Sequence, residues 1–165
     1  MKDKTAKYLK EIAIFFIIMT ILANILSLYR SSDLNKSALN MPPVTLINNS
    51  SYTLPKGEPV LIYFWATWCP TCRAEAPNIE LISKKFNVLT VALKSGNDSK
   101  IEEYLKSQDL SFRVINDYDG SITQKFNISV FPTTIIYDRE GNELFSDVGY
   151  TTTLGLWLKM WWVSL

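Results

Sequence analysis

The chain has 165 residues, 47% of them hydrophobic, with 17 basic against 16 acidic side chains and no histidine. So even a balance leaves no electrostatic footprint for a nucleic-acid partner. Two cysteines without histidine fall short of the four N/S ligands of a structural zinc site. The length suits one small domain with one membrane segment.

The first 11 residues carry Lys2, Lys4, Lys7 and Lys10, tempered by Asp3 and Glu11. Residues 12–29 are then free of charge and mostly Ile, Leu, Phe and Met. That is about the length that crosses a bilayer core as a helix. With lysines before the run, the positive-inside tendency keeps residues 1–11 in the cytoplasm and sends the rest out. A cleaved signal peptide is the competing expectation, although its apolar core is shorter and ends in a small-x-small site. Here the run ends Asn24-Ile25-Leu26-Ser27-Leu28-Tyr29, so an uncleaved anchor is favoured. In a bacterium this places the protein in the inner membrane as a single-pass chain with its domain facing the periplasm. Residues 30–43, polar and closed by Met41-Pro42-Pro43, are expected to be a flexible linker.

The domain is expected over 44–165. Val44-Thr45-Leu46-Ile47 and Tyr52-Thr53-Leu54 flank Asn48-Asn49-Ser50-Ser51 as a hairpin. The apolar run from Val60 to Ala66 reads as a buried strand. A helix is expected from about Thr71 to Phe86, kinked by Pro77, with Ile79, Ile82, Phe86 and Leu81 toward the core. Then come a strand at Val88 to Leu93 and a helix opened by Asn97-Asp98-Ser99 and ending near Gln108. A short strand (Phe112 to Ile115), a short helix (Ser121 to Phe126), strands at Thr133 to Tyr137 and Glu143 to Val148, and a last helix capped by Thr152 or Thr153 follow. Alternating strands and helices imply an α/β sheet covered by helices. The last helix, with Trp157, Trp161 and Trp162, is nearly all apolar; it either packs in the core or meets a membrane or partner.

The chemistry sits in Trp65-Ala66-Thr67-Trp68-Cys69-Pro70-Thr71-Cys72. These eight residues hold both cysteines, spaced C-x-x-C, at the junction of a buried strand and a helix. That is the layout of a thiol–disulfide centre. Unpaired N–H groups and the dipole at a helix N-terminus favour the thiolate of Cys69, making it the nucleophile, with Cys72 resolving. A structural bridge closing so small a loop would stabilise little. Haem attachment needs His at position 73, which is Arg. Copper(I) held by the two thiolates stays open. No cofactor is called for.

The order of strand, C-x-x-C helix, strand, helix and strand, then Phe131-Pro132-Thr133 before a hairpin, resembles the thioredoxin fold. The N-terminal hairpin and the extra helix and strand between Asn97 and Ile115 resemble its membrane-anchored, exported branch, which includes the cytochrome c maturation thioredoxins. Within that branch the chain looks most like the suppressor-of-copper-sensitivity D type. The resemblance implies an enzyme, a protein disulfide oxidoreductase working on exported proteins, with a membrane thiol-transporting reductase as electron donor and a reductive direction. A part in copper tolerance is implied by the same likeness.

It also implies roles residue by residue. Pro132 matches the family's cis-proline, flanked by Phe131 and Thr133, which with Trp68, Pro70 and Thr71 would meet substrate. The ordinary alternative is a trans turn proline. Glu75, three residues after Cys72, matches an acidic residue that tunes the dithiol and is expected to be catalytic. A solvated glutamate in the first turns of a helix is the plain alternative. The chain departs from thioredoxin at Tyr63, which stands where thioredoxin keeps a buried Asp, so proton transfer would fall to Glu75 or water. Peroxiredoxins place Thr and Pro three and seven residues before their cysteine, where this chain has Ala66 and Ile62. That likeness is weak.

Overall fold

The computed structural model describes residues 2–32, 34, 39 and 41–165. Helix α1, Lys2–Ser31, is followed by β1 (Val44–Thr45), β2 (Ser51–Tyr52), β3 (Val60–Trp65), α2 (Pro70–Ser83), β4 (Asn87–Leu93) and α3 (Asp98–Ser107). Then come β5 (Arg113–Asp117), α4 (Ser121–Lys125), β6 (Thr133–Tyr137), β7 (Glu143–Val148) and α5 (Thr153–Val163).

Five strands form one sheet in the order β5-β4-β3-β6-β7, and β1 and β2 form a separate antiparallel hairpin. Strands β4 and β5 run parallel to β3, joined through helices, while β6 and β7 run antiparallel through a tight turn. Strand β3 lies at the centre with both faces covered, which explains its unbroken apolar run and full burial. One core layer holds Tyr63, Trp65, Ile79, Ile82, Leu156 and Met160. The other holds Ile62, Phe64, Leu89, Val91, Ile135 and Tyr137.

The elements match the sequence pattern closely, with differences at the ends. Helix α2 stops at Ser83 rather than Phe86, and Pro77 lies inside it. Leu81 is 54% exposed and not a core residue, because Ile79 and Ile82 take the buried side of the helix. The hairpin shrinks to two paired positions, Val44↔Tyr52 and Thr45↔Ser51. On α5, Leu156, Met160 and Val163 are buried, while Leu154, Trp157, Leu158, Trp161 and Trp162 stay exposed and the rings of Trp157 and Trp161 stack. Core packing therefore holds for one side of that helix, and the tryptophan side is exposed.

Within α1, Lys10–Ser31 is long and apolar enough to cross a membrane, with mean hydropathy 2.4. Its far end touches the domain: Ser27 Oγ accepts the N–H of Val148, on the edge strand β7, at 3.0 Å. Residues 33, 35–38 and 40 of the expected linker lie outside the described residues. Leu34 and Leu39 are described and are not free. Leu34 is buried in the second core layer, and the N–H of Leu39 donates to the Gly141 carbonyl at 2.8 Å. Apolar side chains at 34, 39 and 41 hold the connection against the domain.

Candidate active site

Strand β3 delivers the chain at Trp65, whose ring is fully buried and donates through Nε1 to Thr90 Oγ1 at 3.1 Å. The turn that follows is fixed at two points. The N–H of Cys69 donates to the Ala66 carbonyl at 3.2 Å, and the N–H of Thr67 donates to Ser95 Oγ at 3.0 Å. Cys69 is extended, with φ −89° and ψ 112°, and serves as the N-cap of α2. Its Sγ accepts the Cys72 N–H at 3.1 Å, which is the hydrogen bond a capping side chain makes to N3. Pro70 fills the first helical position, where no N–H is needed.

Cys69 and Cys72 are joined as a disulfide with Cα atoms 5.3 Å apart, an ordinary spacing for such a bond. Cys69 keeps 5% of its surface and Cys72 none. Only the first sulfur can be approached from outside, and it is the one at the helix N-terminus, where a developing thiolate is favoured.

The rim is aromatic. Trp68 is exposed and its ring meets Phe131 edge-on, centroids 6.0 Å apart. Pro70 and Thr71 are exposed beside it. The Phe131–Pro132 peptide is cis. Pro132 and Thr133 are buried, with Thr133 paired to Phe64 on one side and to Val148 on the other. Thr133 Oγ1 donates to the Val130 carbonyl at 2.8 Å, and the Gly149 N–H donates to the Pro132 carbonyl at 2.8 Å. Trp68 and Phe131 thus form a rim, Pro70 and Thr71 lie between the two cysteines, and Pro132 and Thr133 are buried at the start of β6, next to the end of β3.

Glu75 is fully buried, one turn beyond Cys72 on the same side of α2, so the solvated alternative does not hold. Its Oε1 accepts the Thr151 N–H at 2.7 Å, while Oε2 has no hydrogen-bond partner. Burial pushes its pKa up to about 8, against the lowering effect of the Thr151 N–H and the neighbouring Tyr63 hydroxyl; the charge of Asp147 adds to the rise. The carboxyl is therefore largely protonated at neutral pH.

Tyr63, known from the sequence only as the residue that replaces an aspartate, points its hydroxyl into this site. It donates to the Cys72 carbonyl at 3.4 Å and lies beside Glu75. Burial, then the Glu75 charge, raises its own pKa, so it stays a neutral donor. Thr151 and Ser95 carried no signal in the sequence, since each acts across the fold through one backbone or hydroxyl bond.

A family model described as Redoxin matches residues 36–154. A thioredoxin-like protein of Haemophilus influenzae is 31% identical over 168 residues, covering 98% of both chains. The sporulation thiol-disulfide oxidoreductase A of Bacillus subtilis is 25% identical over 114 residues, covering 64% of this chain and 69% of its own. The crystal structure of StoA from Bacillus subtilis superposes with a TM-score of 0.64 at 23% identity, over 73% of this chain and 96% of that one, which shows the shared fold. With this fold, this match and a Cys69–Cys72 pair at the end of the central strand, the chain belongs to the Redoxin family and is a thioredoxin-like thiol–disulfide oxidoreductase.

Proposed function

We propose that this enzyme is a membrane-anchored reductase of exported proteins, drawing electrons from a membrane thiol transporter. The observation that carries the reading is the pairing of a reachable Cys69 at a helix N-terminus with a Glu75 buried one turn beyond Cys72.

In the reductive cycle a donor thiolate attacks Cys69 Sγ and breaks the Cys69–Cys72 bond. The Cys72 thiolate leaves and takes the proton of Glu75. A second donor thiol then releases Cys69 as a thiolate, so two electrons have entered. Cys69 attacks a substrate disulfide, one substrate sulfur departs as a thiolate, and a mixed disulfide forms. Cys72 returns its proton to the Glu75 carboxylate and attacks Cys69 Sγ. The second substrate thiol leaves and the disulfide is restored. Glu75 is thus acid in one half and base in the other. Trp68, Pro70, Thr71, Phe131, Pro132 and Thr133 form the surface along which an extended substrate segment would lie.

The apolar stretch Lys10–Ser31 supports an anchor with the amino terminus in the cytoplasm and the domain outside, in the periplasm of a two-membrane bacterium. Copper oxidises and mispairs exported thiols, so a role in copper tolerance fits a reductase at this location. The direction is tested by acid quench and thiol alkylation of growing cells. A largely reduced pair upholds the reductase, whereas a largely oxidised pair with the donor present points to an oxidase. The competing use of the dithiol, as a Cu(I) carrier, predicts stoichiometric copper bound to the reduced protein and no turnover of a disulfide substrate.

A further inference from the structure

The sheet register brings three polar residues into one row. Tyr63 on β3 pairs with Thr134 on β6, and Thr134 pairs with Asp147 on β7. Directly paired residues project to the same face of a sheet. That face is the one covered by α2 and α5, since Tyr63 packs with Ile79, Leu156 and Met160.

Both ends of the row meet an ionisable side chain from a covering helix. At the Tyr63 end stands Glu75 of α2. At the other end Lys159 of α5 binds both oxygens of Asp147. Within the row the Thr134 hydroxyl is buried without a hydrogen-bond partner, as is Glu75 Oε2. Asp147 and Lys159 keep 19% and 27% of their side-chain surface, and Lys159 lines a cleft with Gly149, Tyr150 and Thr151. A polar seam therefore runs through an otherwise apolar layer, from the active-site carboxyl to a solvent-reaching ion pair.

We propose that Asp147, held in place by Lys159, is a positioning residue that shifts the protonation of Glu75 and with it the pH range of the exchange. The inference rests on the proposed role of Glu75. Tyr63 of β3 stands beside Glu75 with Tyr104 acting on Tyr63, and the cleft beside Lys159 is also lined by Arg30 of α1 and by Tyr150, whose hydroxyl accepts from Asn78 of α2. Asp147 and Lys159 are groups of opposite sign. Lys159 screens Asp147 from the buried carboxyl. Removing either partner shifts the balance in a direction fixed by its sign.

A purely structural ion pair, fastening α5 to the edge strand, makes a different forecast. Its loss loosens the same packing from either side, so both variants act alike.

The test uses the full chain in phosphatidylcholine vesicles. The protonated-carboxyl infrared band of Glu75, identified by its loss in Glu75→Gln, is followed against pH in the wild type, Asp147→Asn and Lys159→Met. Asp147→Asn should lower the midpoint, and Lys159→Met should raise it, each by about half a pH unit, as suits one screened charge two strand spacings away. The pH profile of disulfide reduction by dithiothreitol, corrected for the reagent's own thiolate, should move in the same two directions. Midpoints that both move one way, or both stay, overturn the inference while leaving Glu75 its role. If Glu75→Gln leaves the reduction profile unchanged, the role of Glu75 fails and this inference fails with it.

Discussion

Glu75 Oε1 takes the backbone N–H of Thr151 at 2.7 Å, across 76 residues of chain. This single bond ties the dithiol helix to the connection between β7 and α5. It also fixes a carboxyl inside the core, one turn from the resolving cysteine. The cost of burying that group appears as its raised pKa, about 8 against 4.5.

The raised value sets a pH dependence. The fold favours neutral Glu75, so between about pH 4.5 and 8 the native protein binds more protons than the unfolded chain. The contribution is therefore fully present below 4.5 and is lost as pH rises through 8. Denaturant melts of the oxidised protein in detergent should lose stability across this window, and Glu75→Gln should flatten the loss. An unchanged slope in Glu75→Gln would remove Glu75 as its source.

Glu80, on the same helix, should behave in the opposite way. Burial opposes its charge, but the hydroxyl and N–H of Ser111, then Lys84 and the Phe112 N–H, outweigh that and lower its pKa. Its contribution is present above the unfolded value and lost as pH falls through the folded one. Glu80→Ala leaves the N–H groups of Ser111 and Phe112 without their acceptor and should cost about 1–3 kcal/mol at neutral pH. The deficit should shrink as pH falls below the ordinary carboxylate value of 4.5, read by parallel melts.

The two cysteines should separate by phenotype. Cys69→Ser removes the reachable sulfur of the pair, and reduction of a disulfide substrate should fall to background. Cys72→Ser keeps the attack and loses the resolution, so a mixed disulfide should accumulate and appear as a shifted band on a non-reducing gel. Full turnover by Cys69→Ser would end the proposed mechanism.

Ile79 is fully buried between α2 and the sheet. Ile79→Ala should cost about 2–5 kcal/mol through lost burial and the cavity left behind. A chemical denaturation midpoint measures it, and a change below about 1 kcal/mol would mean that the helix repacks easily.

What the sequence determined was local. A short apolar run closed by turn residues reads as a strand covered on both faces, and β3 is one. The C-x-x-C after that strand, with Pro70 inside it, places Cys69 at a helix start whatever the rest of the chain does. The Phe131-Pro132-Thr133 segment marked where the second half of the sheet begins. What only the tertiary structure decided was which polar groups share an interior. Glu75 looks from its spacing like any glutamate of a first turn, and its burial depends on a loop 76 residues away. Tyr63, Thr134 and Asp147 come together because β6 and β7 pair in one register, which no single segment encodes. Leu34 and Leu39 looked like linker residues because their apolar partners lie far along the chain. Local pattern fixes elements, since it acts over a few residues. Burial, and the protonation that follows from it, belongs to contacts made only when the whole chain has folded.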